Sequence, residues 1–291
     1  MPSQAQPAHR DQLATKLRND LQRLAIDASG VVGISVVDLS SGQRFGVNEE
    51  LVFPQGSAIK IPILIELFRR ADRGELNLTD RLPVRANSQV GGSGLLQYFS
   101  DGGSELSLHD LAIAMIVLSD NSATNVLIDR LGMDQVSRTM AETGAGQTKL
   151  QRKMIRPEES AKGNENLSTP KEAADLMVRI ARCDLPVSAA SCARIRAILE
   201  ISKSGAFRDP IPASVPVAWK PGGIEGAQTA WGLVNVPGGP YAIAIMVSYG
   251  GDDADLNRPI REISSAAYKY FTQIARTTPY GTRVPLEYIK K

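Results

Sequence analysis

Strand-like and helix-like stretches are sorted along this chain rather than interleaved. His9 to Ala28 carries Leu13, Leu17, Leu21, Leu24 and Ala25 at helical spacing. Two strand-like stretches follow, the β-branched Val31–Asp38 and then Gln43–Val47, divided by the Ser40-Ser41-Gly42 turn. From Ser57 to about Glu200 helical patterning takes over. Strands return only late, at Val215–Lys220, Thr229–Val236 and Tyr241–Tyr249, with Gly222, Gly223 and Gly226 ending the first and Pro237-Gly238-Gly239-Pro240 joining the other two. Pro259–Arg276 closes as a helix. The simplest packing unites the five strands in one antiparallel sheet flanked by the two terminal helices. The expected fold class is therefore α+β, with a discontinuous sheet domain (1–56 and 208–291) and an inserted all-helical domain (57–207). A cleft between them is the default site, and Ser57 stands where the chain leaves the sheet for the insert.

Within the insert, Ser57–Arg73 reads as one helix stopped by Gly74. Ser107-Leu108-His109-Asp110 has the form of a capping box ahead of a run, Leu108–Leu118, too apolar for a surface helix. Asn121–Arg130 ends at Gly132. Gln151–Pro170 is polar and irregular, a length that in a compact domain points to function or mobility. Thr169 and Pro170 then begin a helix as its N-cap and first residue. The tail, Thr277–Lys291, is expected on the surface.

Composition excludes several function classes. The net charge is +2 over 291 residues, and no basic stripe with interleaved aromatics exists, so no nucleic-acid partner is expected. No apolar run reaches the length of a membrane span. The two histidines, His9 and His109, are not placed for a Ser-His-Asp triad or a metal site, and no Cys-x-x-Cys occurs. No metal and no cofactor are expected. Cys183 and Cys192 read as two separate buried thiols, with a disulfide left open. Met1–Ala8 lacks the apolar core of a secretory signal, so the expected location is periplasmic or secreted if a leader has been removed, and otherwise cytoplasmic. A monomer acting on a small molecule is the expected state.

Three polar stretches carry the chemistry. Ser57 and Lys60 form a Ser-x-x-Lys pair at the start of an apolar helix, which puts the hydroxyl at the positive end of the helix dipole and an amine one turn on. A lysine whose pKa is lowered by burial can take the hydroxyl proton, giving a nucleophile with its own base. Ser119-Asp120-Asn121 follows the most apolar helix: Ser119 can relay a proton to a leaving group, Asn121 can bond a substrate amide, and Asp120 suits bracing the loop through backbone N–H groups. Trp219-Lys220-Pro221-Gly222-Gly223 offers a cation near Ser119 and glycines that let a substrate approach the backbone. The N–H groups of Ser57 and Gly223 can form an oxyanion hole.

In order, type and spacing these stretches resemble the Ser-x-x-Lys, Ser-Asp-Asn and Lys-Thr-Gly motifs of the class A β-lactamases and penicillin-binding proteins. The Gly92–Gln97 stretch ahead of Ser119 strengthens the likeness, which covers nearly the whole chain. It implies a β-lactamase-like serine hydrolase in which Ser57 is acylated, Lys60 is its base, Ser119 carries a proton to the leaving nitrogen, Asn121 holds the substrate side-chain amide, Lys220 attracts the substrate carboxylate, Gly222 and Gly223 border the substrate, and Tyr98 sits at the cleft mouth. The alternatives it implies are an esterase or D-alanyl peptidase, or a penicillin-binding or sensor protein that acylates without turnover.

Two departures qualify that resemblance. Pro221 replaces the hydroxyl residue of the third motif, removing a donor for a substrate carboxylate. The second departure lies in the 151–170 loop, where class A enzymes carry a glutamate soon after an arginine to activate the deacylating water. Framed from Leu150-Gln151-Arg152, that place falls on Met154. A second register, Arg156-Pro157-Glu158, makes Glu158 the candidate base. The first register suits the anchor at Ser168-Thr169-Pro170 better, with Arg152 and Asn166 clasping the loop. Slow deacylation is the expectation that follows.

Overall fold

The computed structural model describes residues 8–251, 255–278 and 280–288. All but the last residue of the Met1–Ala8 stretch, and the final residues of the tail, lie outside them. Helix α1 (Ala8–Asp27) leads into β1 (Val31–Asp38) and β2 (Arg44–Val47). The helical segment holds α2 (Lys60–Asp72), α3 (Leu108–Val117), α4 (Asn121–Leu131), α5 (Met133–Glu142), α6 (Pro170–Arg182) and α7 (Ala189–Glu200). Strands β3 (Val217–Ile224), β4 (Ala227–Val234) and β5 (Tyr241–Ser248) follow, and α8 (Asn257–Ile274) closes the fold. The strands form one antiparallel sheet in the order β2-β1-β5-β4-β3. The fold is α+β, with late β5 paired along the whole of early β1, from Val31 opposite Ser248 to Asp38 opposite Tyr241.

Both sheet faces are covered. Ile34, Val36, Ile243 and Ile245 face outward and share a core with Leu17 and Leu21 of α1 and Ile263 and Phe271 of α8. Ala242, Ala244, Met246 and Trp231 belong to a second core, continuous with the helical segment. Strand β5 therefore reads as an unbroken apolar run, and all eight of its residues are buried. The small Ala242 and Ala244 let α6 lie close across the inner face. Helix starts are capped as their sequences dictate: Ser107 Oγ accepts from the Asp110 N–H at 3.0 Å, and Thr169 Oγ1 from the Glu172 N–H at 3.1 Å.

Three expectations are corrected. The Ser57–Arg73 helix is two pieces, a 3₁₀ turn over Gly56–Ile59 and then α2. Gly222 and Gly223 do not end β3, which runs through both to Ile224. Pro221 is tolerated there because β3 is an edge strand. Its carbonyl accepts from Lys220 Nζ at 3.0 Å, so that residue's backbone polar groups face away from the ladder and no ladder bond is lost. Cys183 and Cys192 are not separate thiols but a disulfide joining the C-cap of α6 to α7. Cys183 takes a left-handed φ of +53°, which turns the chain back so that α7 can present Cys192. The irregular loop also has structure: Leu167–Ser168 pairs with Phe53–Pro54, and Pro157–Ser160 forms a single helical turn.

Candidate active site

Ser57 lies in the 3₁₀ turn ahead of α2, and glycines bring the sheet edge against it. A Cβ on Gly56 (φ +49°) would stand 2.6 Å from the Gly223 nitrogen. One on Gly222 would stand 2.1 Å from the Gln55 carbonyl oxygen and 2.6 Å from the Ala58 nitrogen. Only bare backbone permits this approach, and it sets the backbone beside Ser57 against that of Gly223. Gln55, buried just before the turn, pins it from three sides. Its Oε1 accepts from Trp231 Nε1 at 2.9 Å, its N–H donates to the Asn166 carbonyl at 2.8 Å, and its carbonyl accepts from Thr229 Oγ1 at 3.0 Å. Nothing in the sequence singles out Gln55, since a buried amide in a turn carries no periodic signal.

Lys60 is wholly buried. Its Nζ donates to the Ser119 carbonyl at 2.7 Å, to Ser119 Oγ at 3.2 Å and to Asn121 Oδ1 at 2.9 Å. Burial pulls its pKa down to about 7, against a smaller opposing pull from the Asp120 carboxylate. Three donated bonds describe the ammonium form; the neutral amine keeps two N–H groups and gains a lone pair. No hydrogen bond joins Lys60 to Ser57 among the described residues, so proton transfer between them needs that neutral form and a small shift of Nζ.

Lys220, on β3, is also buried and donates to Ser119 Oγ at 3.0 Å. Its pKa lies well below the ordinary lysine value, first through burial and then through the positive charges of Lys60 and Lys203. Ser119 thus accepts from two lysines, which leaves its own proton free to donate. It holds that position at φ +53°, a left-handed conformation that costs a non-glycine residue of order 1 kcal/mol or more. Asp120 stabilises the turn: Oδ2 accepts from the N–H groups of Leu95 (2.6 Å) and Leu96 (2.9 Å), and Oδ1 from that of Ala123 (2.8 Å) at the start of α4. Asn121 Nδ2 donates to the Gly91 carbonyl at 3.1 Å.

A cavity of about 570 Å³ lies beside Ser57, bounded by Gly92, Ser93 and Asn121, by Gly223 and Ile224 of β3 with Glu225 of the turn after it, and by the loop from Arg152 to Asn166. A larger cavity, about 830 Å³, opens between the end of α2 and α7 and shares no residue with the three motifs. The chemistry belongs to the first, because it alone reaches Ser57.

The loop wall is built differently. Arg152 pairs with Glu165 at 3.0 Å, and Asn166 takes the N–H groups of Gln151 and Arg152 on Oδ1 while donating to the Arg152 carbonyl. Asn125 of α4 clamps Met154 through both of its backbone groups, at 2.8 and 3.3 Å. Met154 lines the cavity with 5% of its surface exposed. Glu158 points away: its side chain is 55% exposed, reaches Arg156 at 3.7 Å and is not part of the cavity wall. Tyr98 is 79% exposed on the Leu96–Tyr98 turn and does not line the cavity either. Glu165, which sequence reasoning passed over, does line it, with its carboxylate committed to Arg152. Among the described residues no cluster of three or more His, Cys, Asp or Glu side chains could hold a metal, and no helix is long and apolar enough to cross a membrane.

A buried lysine pair joined through a serine, beside a serine in a helix-start turn, defines a serine hydrolase site at the junction of a sheet and a helical insert. Residues 16–271 match the beta-lactamase enzyme family, to which the chain belongs. It is 26% identical over 222 residues to beta-lactamase SME-1 of Serratia marcescens, covering 74% of this chain and 72% of that one. It is 27% identical over 227 residues to the imipenem-hydrolyzing beta-lactamase of Enterobacter cloacae, covering 77% and 76%. Among solved structures it is similar to PBP-A (TM-score 0.81, 29% identity, 89% of this chain and 96% of that one). It is also similar to a beta-lactamase from Sphaerobacter thermophilus (TM-score 0.80, 30% identity, 89% and 97%). A mutant of PBP-A has been solved as an acyl-enzyme complex with penicillin G.

Proposed function

We propose that this protein is a serine hydrolase that opens β-lactam amides through an acyl-enzyme on Ser57 and releases the acyl group slowly. The observation that carries the proposal is the hydrogen-bonded chain Lys60–Ser119–Lys220, with both lysines buried, Ser119 half-buried and Lys60 one turn along from Ser57. Neutral Lys60 takes the Ser57 proton as Oγ adds to the lactam carbonyl carbon. The N–H groups of Ser57 and Gly223 stabilise the oxyanion. The ring C–N bond then breaks, and its nitrogen receives the Ser119 proton, which Lys60 replaces. The products are a Ser57 ester and a ring-opened amine, with Lys60 neutral again. Asn121 Nδ2 is the donor offered to the substrate side-chain amide, and Lys220 the charge offered to its carboxylate.

Hydrolysis of the ester needs a water and a base to take its proton. Met154 occupies the loop position where a carboxylate would serve, and Glu158 faces solvent. Losing one general base typically costs ~10²–10⁴-fold in rate. The same observation, with the likeness to PBP-A, supports a second reading in which Ser57 is acylated and held, as in a penicillin-binding or sensor protein. The Cys183–Cys192 disulfide supports an oxidising location, periplasmic or extracellular.

Intact mass after mixing with a penicillin and with a cephalosporin tests these readings. An adduct on Ser57 that decays over many minutes is expected. An adduct that never decays favours the trapped form. No adduct and no product, with p-nitrophenyl esters still cleaved, would overturn lactam chemistry and leave an esterase.

A further inference from the structure

Ile155 is the residue of the cavity wall that folding alone does not explain. It is β-branched and sits at φ +56°, a left-handed conformation in which its branched Cβ crowds the backbone. Its side chain is 48% exposed, so little burial offsets that strain. Glycine or asparagine would hold the same backbone at lower cost. The conformation is imposed from one side: Asn125 fixes both backbone groups of Met154, and Asn166 and Glu165 fix Arg152. The side chain is thereby turned out into the cavity beside Ser57, with Gly92 facing it; a Cβ added to Gly92 would come within 3.4 Å of Ile155 Cδ1. Met154, Pro157 and Ile224 continue the apolar lining. Of the charged residues that line the cavity, Arg152 with Glu165 and Arg156 with Glu158 are paired, and Glu225 has no ion-pair partner among the described residues, so the lining disfavours an anionic group.

We propose that Ile155 is a specificity-determining residue that selects an apolar, uncharged acyl side chain on the substrate. Such a group, aromatic or branched aliphatic, would lie against the Ile155 side chain over Gly92 and remove its exposed surface from water. This rests on the reading of Ser57 as the acylated nucleophile. Backbone strain of this kind clusters at positions that contact ligands.

The test compares two pairs of probes on the whole chain. Penicillin G carries a phenylacetyl group where 6-aminopenicillanic acid carries a free amine; p-nitrophenyl phenylacetate and p-nitrophenyl acetate differ in the same way without a lactam. Acylation rates come from intact mass for the first pair and from p-nitrophenol release for the second. The phenylacetyl member should be favoured, and Ile155→Gly and Ile155→Asn should each reduce that preference about tenfold. Thermal midpoints should hold or rise, since both residues accept the left-handed φ. Unchanged preference in both variants, with Ser57 still acylated, would overturn the specificity role alone. No Ser57 acylation by any probe would overturn the nucleophile reading and this inference with it.

Discussion

The two walls of the cavity use their polar groups in opposite ways. Behind the wall made by α2, the α3–α4 turn and β3, Lys60 and Lys220 are buried and Ser119 half-buried in an arrangement that is costly for folding. Two lysines lie close together with no carboxylate among the described residues paired to either, and a serine is held in a left-handed conformation. On the loop wall, Arg152, Glu165, Asn166 and Asn125 are buried or half-buried too, but each is bonded to hold the loop in shape, and none is free for chemistry. One wall retains groups that can exchange protons; the other has committed its groups to architecture. Under the proposed mechanism that contrast puts acylation on the first wall and leaves the second without a base for release.

The largest effect that could break this contrast is at the nucleophile. Ser57→Ala should reduce acylation and turnover by about 10⁴–10⁶-fold; activity surviving it would move the chemistry elsewhere. Lys60→Met should lower the acylation rate by ~10²–10⁴-fold. The wild-type acylation rate should climb as pH rises toward about 7 and then level, because only the neutral amine accepts a proton. Stability carries the same group. Folded Lys60 binds fewer protons than unfolded Lys60 between about pH 7 and 10.5, so stability should rise with pH across that window, and the rise should shrink in Lys60→Met. Urea melts at pH 7 and 9.5 on both proteins measure it.

Met154→Glu sharpens the contrast from the other side. A carboxylate placed at this buried position should shorten the acyl-enzyme lifetime by ~10²-fold, at the low end for a general base. It should also cost about 1–3 kcal/mol of stability through desolvation. An unchanged lifetime would mean that the loop position is not where water is activated. Replacing both cysteines by serine should cost about 2–3 kcal/mol, for a bridge spanning a sequence separation of 9, while leaving the acylation rate unaltered. The smallest expected effect is Glu158→Gln, which should change deacylation less than about twofold, well below a general-base contribution; a larger loss would bring Glu158 into the mechanism.

The sorted pattern of strands and helices was legible because β5, covered on both faces, must be apolar throughout, and because cap residues such as Ser107 and Thr169 mark helix starts locally. The three motifs were legible because each is a short run of unusual chemistry. What escaped depends on distant partners. Gln55 matters through Trp231 and Thr229, and Glu165 through Arg152. The span of β3 was misjudged because glycine and proline ordinarily break strands. At this edge the ladder lies on one side only, and the other side needs bare backbone against Gly56. The disulfide was missed because Cys183 and Cys192 meet only where the chain reverses between α6 and α7, a reversal that the left-handed Cys183 marks.

The pairing of β1 with β5 also governs when the protein becomes reactive during its synthesis. Residues 31–38 cannot gain their central partner until residue 248 has been made, and Gly223 cannot reach Gly56 until β3 has joined the same sheet. Contacts so distant in sequence form late. A nascent chain therefore carries Ser57 and Lys60 through about 160 residues of further growth without the strand edge that would supply the Gly223 N–H. In the proposed mechanism, assembly order keeps Ser57 unreactive until the late strands β3, β4 and β5 have been made.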